Sequence, residues 1–349
     1  MKDKEYFFAL NGWRIVFSLL IVWHHLPADW KTNSINYDFG NTIVLFFFIL
    51  SGFLLTLGYQ KKIVDGKIKY KDFVIKRAIA VFPIQWLMTL LFVFFGINIV
   101  TYWAVPFNLT LTQSLVPFWE INWKLNTPAW FLSSIFICYL LTPPVLLFAK
   151  KRVNFVIIYC AVVLIWNIFV FLLPDNIGGR LWLCYINPFA RFIDFSAGIL
   201  LALYWPEIKK IFNGILKNKA IATFCEVMIV AVVSYLFVDE SIQEYNNYRV
   251  LRYPVILFFI VVFALSSGLV SKFLGSEKLN KLGDLSLAIY MCHSFILYFT
   301  KKIEFGSTDI NICATYIFTL LFSYVIVRYY TPFMQKLLTR IFTKKNSNA

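Results

Sequence analysis

Histidine is rare in this chain of 349 residues, and each of its three histidines lies in or at the end of a long apolar stretch. His24 and His25 end the first stretch, LNGWRIVFSLLIVWHHL, which also contains Arg14, and His293 lies in a later one, LGDLSLAIYMCHSF. An imidazole changes its charge near neutral pH, so acid–base chemistry in this protein is expected at one of these side chains. The sequence contains no GxSxG, P-loop or HExxH motif that would indicate another chemistry.

The spacing of Arg14 and His25 indicates that both side chains share one face of a helix. Eleven residues correspond to about three helical turns plus 20°, or about 16 Å along the axis, whereas His24 lies about 100° off that face. If this face lines a water-filled passage, Arg14 could hold a phosphate or carboxylate and His25 could act as a general base on a hydroxyl. The alternative is that Arg14 and both histidines snorkel to the lipid head groups.

The stretches that must position these groups are long, apolar and predicted to be helical. Hydrophobic residues make up 60% of the chain and charged residues only 15%, whereas soluble domains carry about 25% charged residues. None of the stretches alternates apolar and polar residues as a membrane β-barrel strand does. We therefore predict an all-α, polytopic membrane protein of about ten transmembrane helices, each of roughly 20 residues. The ten stretches lie near residues 7–26, 40–60, 78–100, 129–149, 153–173, 189–205, 221–238, 254–270, 285–300 and 312–331.

Lysine and arginine are distributed unevenly between the predicted loops of this chain, whose net charge is +15. When the loops are numbered alternately from an N-terminus inside the cell, the inside segments hold 23 of these residues and the outside segments hold 7. This bias predicts that both termini are cytoplasmic. Because the excess lies in short segments between spans, the charge does not indicate a nucleic-acid-binding surface, and no nucleic-acid partner is expected.

Two of these loops have alternative interpretations. The lysine-rich segment at residues 61–76 could attract an anionic, phosphate-bearing donor, or it could be a topology signal that binds anionic membrane lipids. The segment Thr101–Pro128, with Trp130 two residues after it, is rich in tryptophan. It is either a lid or acceptor-binding surface or a belt at the lipid interface.

Polar residues in the second and third predicted spans are functional candidates, since such residues are costly in a membrane. Ser51 and Gly52 form a small pair within a bulky helix, which indicates close helix packing or, through Ser51, contact with a substrate. Lys76 and Arg77 stand at the cytoplasmic mouth of the third span, and Arg77 is a candidate phosphate ligand.

Two later spans contain polar residues three positions apart, so each pair shares a helix face. Arg191 and Asp194 could form a structural ion pair or contribute to a site, and Tyr290 lies beside His293. His293 falls near mid-membrane, where an unpaired imidazole is hard to explain structurally. The six cysteines form no CxxC motif and no metal-ligand spacing, so neither a disulfide nor a metal ion is expected.

Several motifs, in this order along the chain, resemble those of the acyltransferase-3 family, membrane proteins that O-acylate bacterial surface glycans. LNGWR followed by His25 is similar to the family's LDGLR with a histidine eleven residues after the arginine, although Asn11 replaces the usual aspartate. LFFFILSGFLL is similar to LFFVLSGFLL, and KRAIAVFP resembles the RxxRhhP element, with Ala80 where a second arginine is common. TPAWFLSSIFICYLL, RFIDFSAGILLA and LGDLSLAIYMCHSF resemble later elements of the family.

The resemblance implies one membrane acyltransferase domain over residues 1–349, with no appended soluble domain, in the cytoplasmic membrane of a bacterium. It implies acetyl-CoA or another short acyl-CoA as the cytoplasmic donor and a hydroxyl of a glycan or glycolipid as the acceptor. With the residue analysis it predicts His25 and Arg14 as catalytic residues and Arg14, Lys76 and Arg77 as donor ligands. The predicted substrate contacts are Ser51, Trp130, Arg191, Tyr290 and His293.

Two questions stay open at the level of sequence. His25 could deprotonate the acceptor hydroxyl directly, or it could carry the acyl group transiently as a covalent intermediate. The alternative function is secondary transport of a small anionic solute, since ten spans with buried arginine and histidine also fit a transporter. The acceptor, the acyl chain length and the oligomeric state are not indicated by the sequence.

Overall fold

The computed structural model describes residues 6–31, 39–97, 102–174, 179–238, 249–265 and 267–347, and within these ranges it contains helices and no strands. The all-α class predicted from the sequence is confirmed. A π-helical turn at Trp182–Ile186 precedes the helix that begins at Pro188, and another at Ile326–Tyr330 joins the helices Thr308–Val325 and Thr331–Ser347. The α-helices of the described ranges are α1 (Phe8–His25), α2 (Phe39–Val64), α3 (Tyr70–Phe94), α4 (Ala104–Thr110), α5 (Trp119–Trp123), α6 (Ala129–Phe148), α7 (Arg152–Leu172), α8 (Pro188–Leu203), α9 (Trp205–Ile215), α10 (Lys219–Val238), α11 (Arg249–Leu265), α12 (Leu269–Leu274), α13 (Glu277–Gly283), α14 (Ser286–Ile303), α15 (Thr308–Val325) and α16 (Thr331–Ser347).

A helix occupies each of the ten stretches that the sequence predicted to cross the membrane. Among the residues described, seven helical segments are long and apolar enough to cross a membrane, and an eighth is possible if α13 and α14, bent by 58°, count as one span. The apolar part of α11, Arg252–Leu265, is shorter, and α1 contains Arg14 and two histidines. The helical membrane protein is thus supported, whereas the count of ten spans and the cytoplasmic termini stay predictions.

Two helices depart from their predicted boundaries. The third begins at Tyr70 rather than near residue 78, so Lys76 and Arg77 lie about two turns inside α3 instead of before it. The last long helix runs from Thr308 to Phe342 instead of ending near residue 331. A π turn ends at Tyr330, two residues before Pro332, whose missing N–H would otherwise interrupt the α-helical hydrogen bonds. The helix therefore continues past the proline.

α2 and α8 cross in backbone contact because each has a glycine at the crossing point. A Cβ on Gly52 would lie 2.0 Å from the carbonyl oxygen of Phe195, and a Cβ on Gly198 would lie 1.9 Å from that of Ile49. Small residues allow membrane helices to approach this closely. The structure thus shows the packing role that the sequence indicated for Gly52. The close contact at Gly52 also fixes the position of the neighbouring Ser51.

The segment after α3 folds back onto the end of the bundle. The side-chain amide of Gln85 donates to the carbonyl oxygen of Asn108 at 3.0 Å, and the indole N–H of Trp86 donates to that of Leu109 at 2.9 Å. Asn108 in turn donates to the carbonyl oxygen of Ile121 at 3.3 Å, which ties α4 to α5. These bonds satisfy backbone groups that would be unpaired at the ends of short helices. The tryptophan-rich segment is therefore packed against the helices that it connects.

Candidate active site

Three cavities follow one another along the bundle, and neighbouring cavities share lining residues. The basic cavity, of about 600 Å³, lies between α2, α3 and α16. The central cavity, of about 280 Å³, lies among α1, α2, α3, α6 and α14 and shares Tyr59 and Arg77 with the basic cavity. The histidine cavity, also about 280 Å³, lies beside the end of α1 and shares Tyr290 with the central cavity. Arg14 and His25 thus line two separate cavities that share Tyr290, and a continuous passage between these side chains stays a prediction.

The basic cavity is lined by cationic side chains of α3 and of the loop before it. Lys76 and Arg77 line it from α3, and Lys67 lines it from the loop, where it also pairs with Asp65 at 3.2 Å. Asp72 contributes one carboxylate to the same wall. Ala80, which stands where a second arginine is common in the motif, lines this cavity as well. The cavity carries a net positive charge from its lysines and arginine, which favours an anionic ligand.

Arg77 stands where the basic and central cavities meet. One of its terminal N–H groups donates to the hydroxyl of Tyr59 at 3.0 Å, and its guanidinium lies 5.0 Å from the centre of the same ring. Its Nε is buried and has no hydrogen-bond partner among the described residues. A buried N–H without a partner costs free energy unless a ligand accepts from it. Arg77 is therefore held by Tyr59, and its buried Nε–H can donate to a ligand.

Arg14 lines the central cavity and is held by a chain of polar contacts from α13. Its Nη1 donates to Oδ1 of Asn11 at 2.8 Å. The amide of Asn11 donates in turn to the carbonyl oxygen of Asn280 at 2.8 Å and to Oδ1 of Asp284 at 3.2 Å. The motif that LNGWR resembles usually has an aspartate where this chain has Asn11. In this chain an amide bridges Arg14 to a carboxylate further along the sequence, which keeps a negative charge near the guanidinium.

The remaining polar lining of the central cavity comes from three helices. Ser51 lies on α2, Tyr139 on α6 and Ser286 at the start of α14. The hydroxyl oxygen of Ser286 is buried and has no partner within the described part of the chain. Ser51, whose substrate contact stays a prediction, thus lines the cavity, whereas Tyr139 and Ser286 were not identified from the sequence.

An aromatic partition formed by Phe47, Phe131 and Tyr290 separates the central cavity from the histidine cavity. The rings of Phe131 and Tyr290 are 5.0 Å apart, and that of Phe47 lies 6.4 Å from Tyr290 and 6.1 Å from Phe131. Of the three, Tyr290 lines both cavities, whereas Phe47 and Phe131 line the central one. Tyr290 is therefore the lining residue that these two cavities have in common, and its ring lies at their boundary.

The histidine cavity is lined by an aromatic wall and by polar groups. Trp123, Trp130 and Tyr185 line it, and the Trp130 ring lies 4.8 Å from that of Tyr185 and 6.3 Å from that of Trp123. His24 and His25 form the polar side together with Asn41. His24 thus also borders the cavity, although helical geometry placed it about 100° from the face of His25.

The end of α1 is fixed on the side of His24 by a lysine. Nζ of Lys31 donates to the carbonyl oxygen of His24 at 2.9 Å, which satisfies one of the carbonyls at the C-terminus of α1. Partial burial lowers the pKa of Lys31 below its usual value, because desolvation disfavours the ammonium form.

The hydrogen bonds of His25 determine which of its nitrogens can act as a base. Nδ1 lies 2.9 Å from the carbonyl oxygen of Ile21. A carbonyl can only accept, so Nδ1 carries the proton and Nε2 of the neutral ring has the free lone pair. Because the ring lines the histidine cavity, a ligand there can meet this lone pair. In this tautomer Nε2 can act as a general base.

His293 lies behind His25 and is fully buried. The two ring centres are 4.8 Å apart, and Nδ1 of His293 lies 3.2 Å from the carbonyl oxygen of Ile289, the same arrangement as in His25. Nε2 of His293 has no partner among the residues described. His293 lines none of the three cavities, so its contact with a substrate stays a prediction, and its position beside His25 is what the structure shows.

Arg191 is 2% exposed and supports the aromatic wall from behind. It pairs with Asp194 at 2.8 Å, and Tyr253 donates a hydrogen bond to the same carboxylate. Its guanidinium lies 4.5 Å from the ring centre of Tyr185 and 5.6 Å from that of Trp130. Arg191 lines none of the three cavities. The structure therefore shows it in a structural ion pair, and its direct contact with a substrate stays a prediction.

The structure brings most of the predicted site residues to one series of cavities. Predicted residues that line a cavity are Arg14, His25, Ser51, Lys76, Arg77, Trp130 and Tyr290. Tyr59, Tyr139, Tyr185 and Asp284 were missed, because tyrosines are common in this chain and a carboxylate in a loop carries no distinctive motif. No group of His, Cys, Asp or Glu side chains in the described ranges is arranged to hold a metal ion.

The comparisons with known proteins agree with the motif resemblance. A family model described as an acyltransferase domain matches residues 7–328 of the chain. No curated protein and no solved structure matches the chain.

Proposed function

The chain belongs to the acyltransferase-3 family, and on this premise we propose that it transfers an acetyl or other short acyl group from acyl-CoA to a hydroxyl of a glycan or glycolipid. The observation that carries the proposal is that Tyr290 lines both the cavity of Arg14 and the cavity of His25. A group delivered from one cavity and a hydroxyl bound in the other can therefore meet at a single ring.

The basic cavity suits the donor. Acyl-CoA carries its negative charges at the nucleotide end and its thioester at the end of a long, narrow arm. Lys76 and Arg77 line the basic cavity, and the central cavity beyond them narrows to a space with Arg14 on one side. Cations at the mouth and a mostly apolar interior match that distribution of charge along the donor. We place the nucleotide in the basic cavity and the thioester near Tyr290.

The histidine cavity suits a sugar hydroxyl. Aromatic faces such as those of Trp123, Trp130 and Tyr185 offer flat apolar surfaces against which the C–H faces of a sugar ring can pack. The polar side of the cavity, formed by His24, His25 and Asn41, can accept or donate hydrogen bonds to hydroxyl groups. A glycan or glycolipid is therefore the acceptor that we propose.

The proposed reaction needs one base and one passage for the thioester. Nε2 of His25 takes the proton of the acceptor hydroxyl while its oxygen attacks the thioester carbonyl carbon. The C–S bond breaks, the new C–O ester bond remains, and the proton passes from His25 to the departing sulfur, so CoA leaves as the thiol. In the covalent alternative, Nε2 itself attacks the carbonyl carbon, the C–S bond breaks and CoA leaves as the thiolate. The acceptor oxygen then attacks the acyl-imidazole, the C–N bond breaks, and the hydroxyl proton passes to the thiolate, so that the imidazole is neutral again and CoA leaves as the thiol.

The experiment uses membranes that contain the protein, radiolabelled acetyl-CoA and the glycolipid and polysaccharide of the producing cell as acceptors. Free CoA thiol and label in the acceptor fraction are measured together. His25→Gln should lower both rates about 10²–10⁴-fold, because a general base contributes that much. His24→Gln, which changes the neighbouring imidazole of the same cavity, should lower them far less.

Equal rates for wild type and His25→Gln would remove His25 from the chemistry. If the wild type releases no CoA from acetyl-CoA with any of these acceptors, the acyl-transfer proposal itself fails. The alternative of a secondary transporter finds no support in the family match. It would be indicated by uptake of an anionic solute into vesicles without release of CoA.

A further inference from the structure

The last long helix extends well past the length that a membrane requires. From Thr308 to Phe342 it covers 35 residues, which corresponds to about 52 Å of helix, whereas the hydrocarbon core of a bilayer is about 30 Å thick. The hydroxyl of Tyr330 donates to the carbonyl oxygen of Pro83 at 3.0 Å, which ties the start of α16 to α3. α16 therefore continues beside α3 toward the basic cavity.

One face of α16 forms a wall of the basic cavity. Gln335, Thr339 and Phe342 line the cavity from this helix. Their spacing of four and three residues places them on one helix face. Lys76 and Arg77 line the same cavity from α3. A ligand in the cavity thus has cations on one side and an amide, a hydroxyl and an aromatic ring on the other.

This combination of groups is suited to a nucleotide. Cations attract phosphates, an amide and a hydroxyl can form hydrogen bonds with a base or ribose, and an aromatic ring can stack on a base. The cavity volume of about 600 Å³ falls within the about 300–1,000 Å³ typical of sites for small molecules. The family match ends at residue 328, so this wall lies outside the matched domain.

The geometry points to α16 as a binding element for the nucleotide end of the acyl-CoA donor, with Gln335 and Phe342 as its contact residues. The inference rests on the proposed function, because it assumes that acyl-CoA enters through the basic cavity. It adds that residues of α16, which lies outside the matched domain, determine the affinity for the donor. The acyl end of the donor does not reach α16, so the chemical step is independent of these residues.

The test compares a full donor with one that lacks the nucleotide. Initial rates are measured with acetyl-CoA and with acetyl-phosphopantetheine for wild type, Gln335→Ala, Phe342→Ala and Gln335→Trp in the full-length protein. Each alanine variant should raise the KM for acetyl-CoA about 2–10-fold, the effect of losing one hydrogen bond or contact. The tryptophan should raise it further, because it fills the cavity. The KM for acetyl-phosphopantetheine and kcat with either donor should not change.

Lys336→Ala is the matched control, since Lys336 lies on the same helix but does not line the cavity. It should leave the KM for both donors unchanged. Equal increases of KM for both donors in the Gln335 and Phe342 variants would indicate a structural role and overturn the inference. No change with either donor, as expected if a lipid head group occupies the cavity, would also overturn it. Failure of the wild type to use acetyl-CoA would instead refute the proposed function.

Discussion

The crossing of α2 and α8 predicts that a single methyl group can disturb the whole site. In Gly198→Ala the new Cβ would lie 1.9 Å from the carbonyl oxygen of Ile49 and 2.7 Å from the amide nitrogen of Phe53. Both atoms belong to the backbone of α2, so no side-chain rotation can relieve the contact. Ordinary contacts of a Cβ begin at 3.4 Å, so the two helices must separate by about 1.5 Å.

The expected loss of stability follows from this separation. Overpacking of a filled core costs about 1–3 kcal/mol, and here the strain acts on two helices that are in contact along much of their length. α2 also contributes Phe47 and Ser51 to the central cavity. Activity should therefore fall together with stability, because the wall of the cavity moves with the helix.

The assay is thermal unfolding of the detergent-solubilised protein, followed by the fraction that remains monodisperse in size-exclusion chromatography after heating. Gly58→Ala is the matched control, since it lies on the same helix and nothing surrounds its position within 4 Å. Alanine there should leave stability unchanged or raise it by about 0.5–1 kcal/mol, because glycine is less favourable in a helix interior. If both variants unfold at the same temperature as wild type, the backbone contact does not determine how these helices pack.

Two further predictions concern the partition and a buried carboxylate. Tyr290→Ala should open the histidine cavity to the central cavity and raise the release of CoA without acceptor several-fold, whereas Tyr290→Phe should not. The release is measured as free thiol, and equal background hydrolysis in both variants would contradict the partition. Glu226, which is 1% exposed, accepts backbone N–H bonds from Gly268 and Val270 at 2.9 Å each. Glu226→Gln should lower stability by about 1–3 kcal/mol in the same heating assay, because an amide places N–H groups against those donors. Glu207→Gln, which breaks an exposed pair with Arg152, should have an effect of at most about 1 kcal/mol.

The sequence predicted the helices and the face of α1 for a simple physical reason. A long apolar run in lipid must satisfy its backbone within the helix, so composition alone indicates each helical stretch. The eleven-residue spacing of Arg14 and His25 is likewise a property of one helix, and both side chains line cavities in the structure. Properties of a single helix could therefore be read without knowledge of its neighbours.

Contacts between distant helices could not be predicted in this way. Asp284 reaches Arg14 only through Asn11, and Tyr59 supports Arg77 from a different helix. Glu226 was not identified as a buried group, because its partners are backbone N–H groups after α11, which have no sequence signature. The end of α3 at Phe94 and the continuation of α16 depend on turns and packing rather than on hydropathy.

The position of α1 links the packing of the bundle to the proposed chemistry. Arg14 and His25 are fixed to one rigid helix, so any shift of α1 moves the donor side and the base together. A Cβ on Gly12 would lie 2.3 Å from the carbonyl oxygen of Leu274, and a Cβ on Gly283 would lie 2.3 Å from that of Asn11. These two glycines let α1 lie against the segment that carries Asp284, and this approach allows Asn11 to bridge to its carboxylate. The placement of Arg14 thus depends on close packing at the two glycines. Because His25 lies on the same helix, its position at the histidine cavity depends on this packing as well.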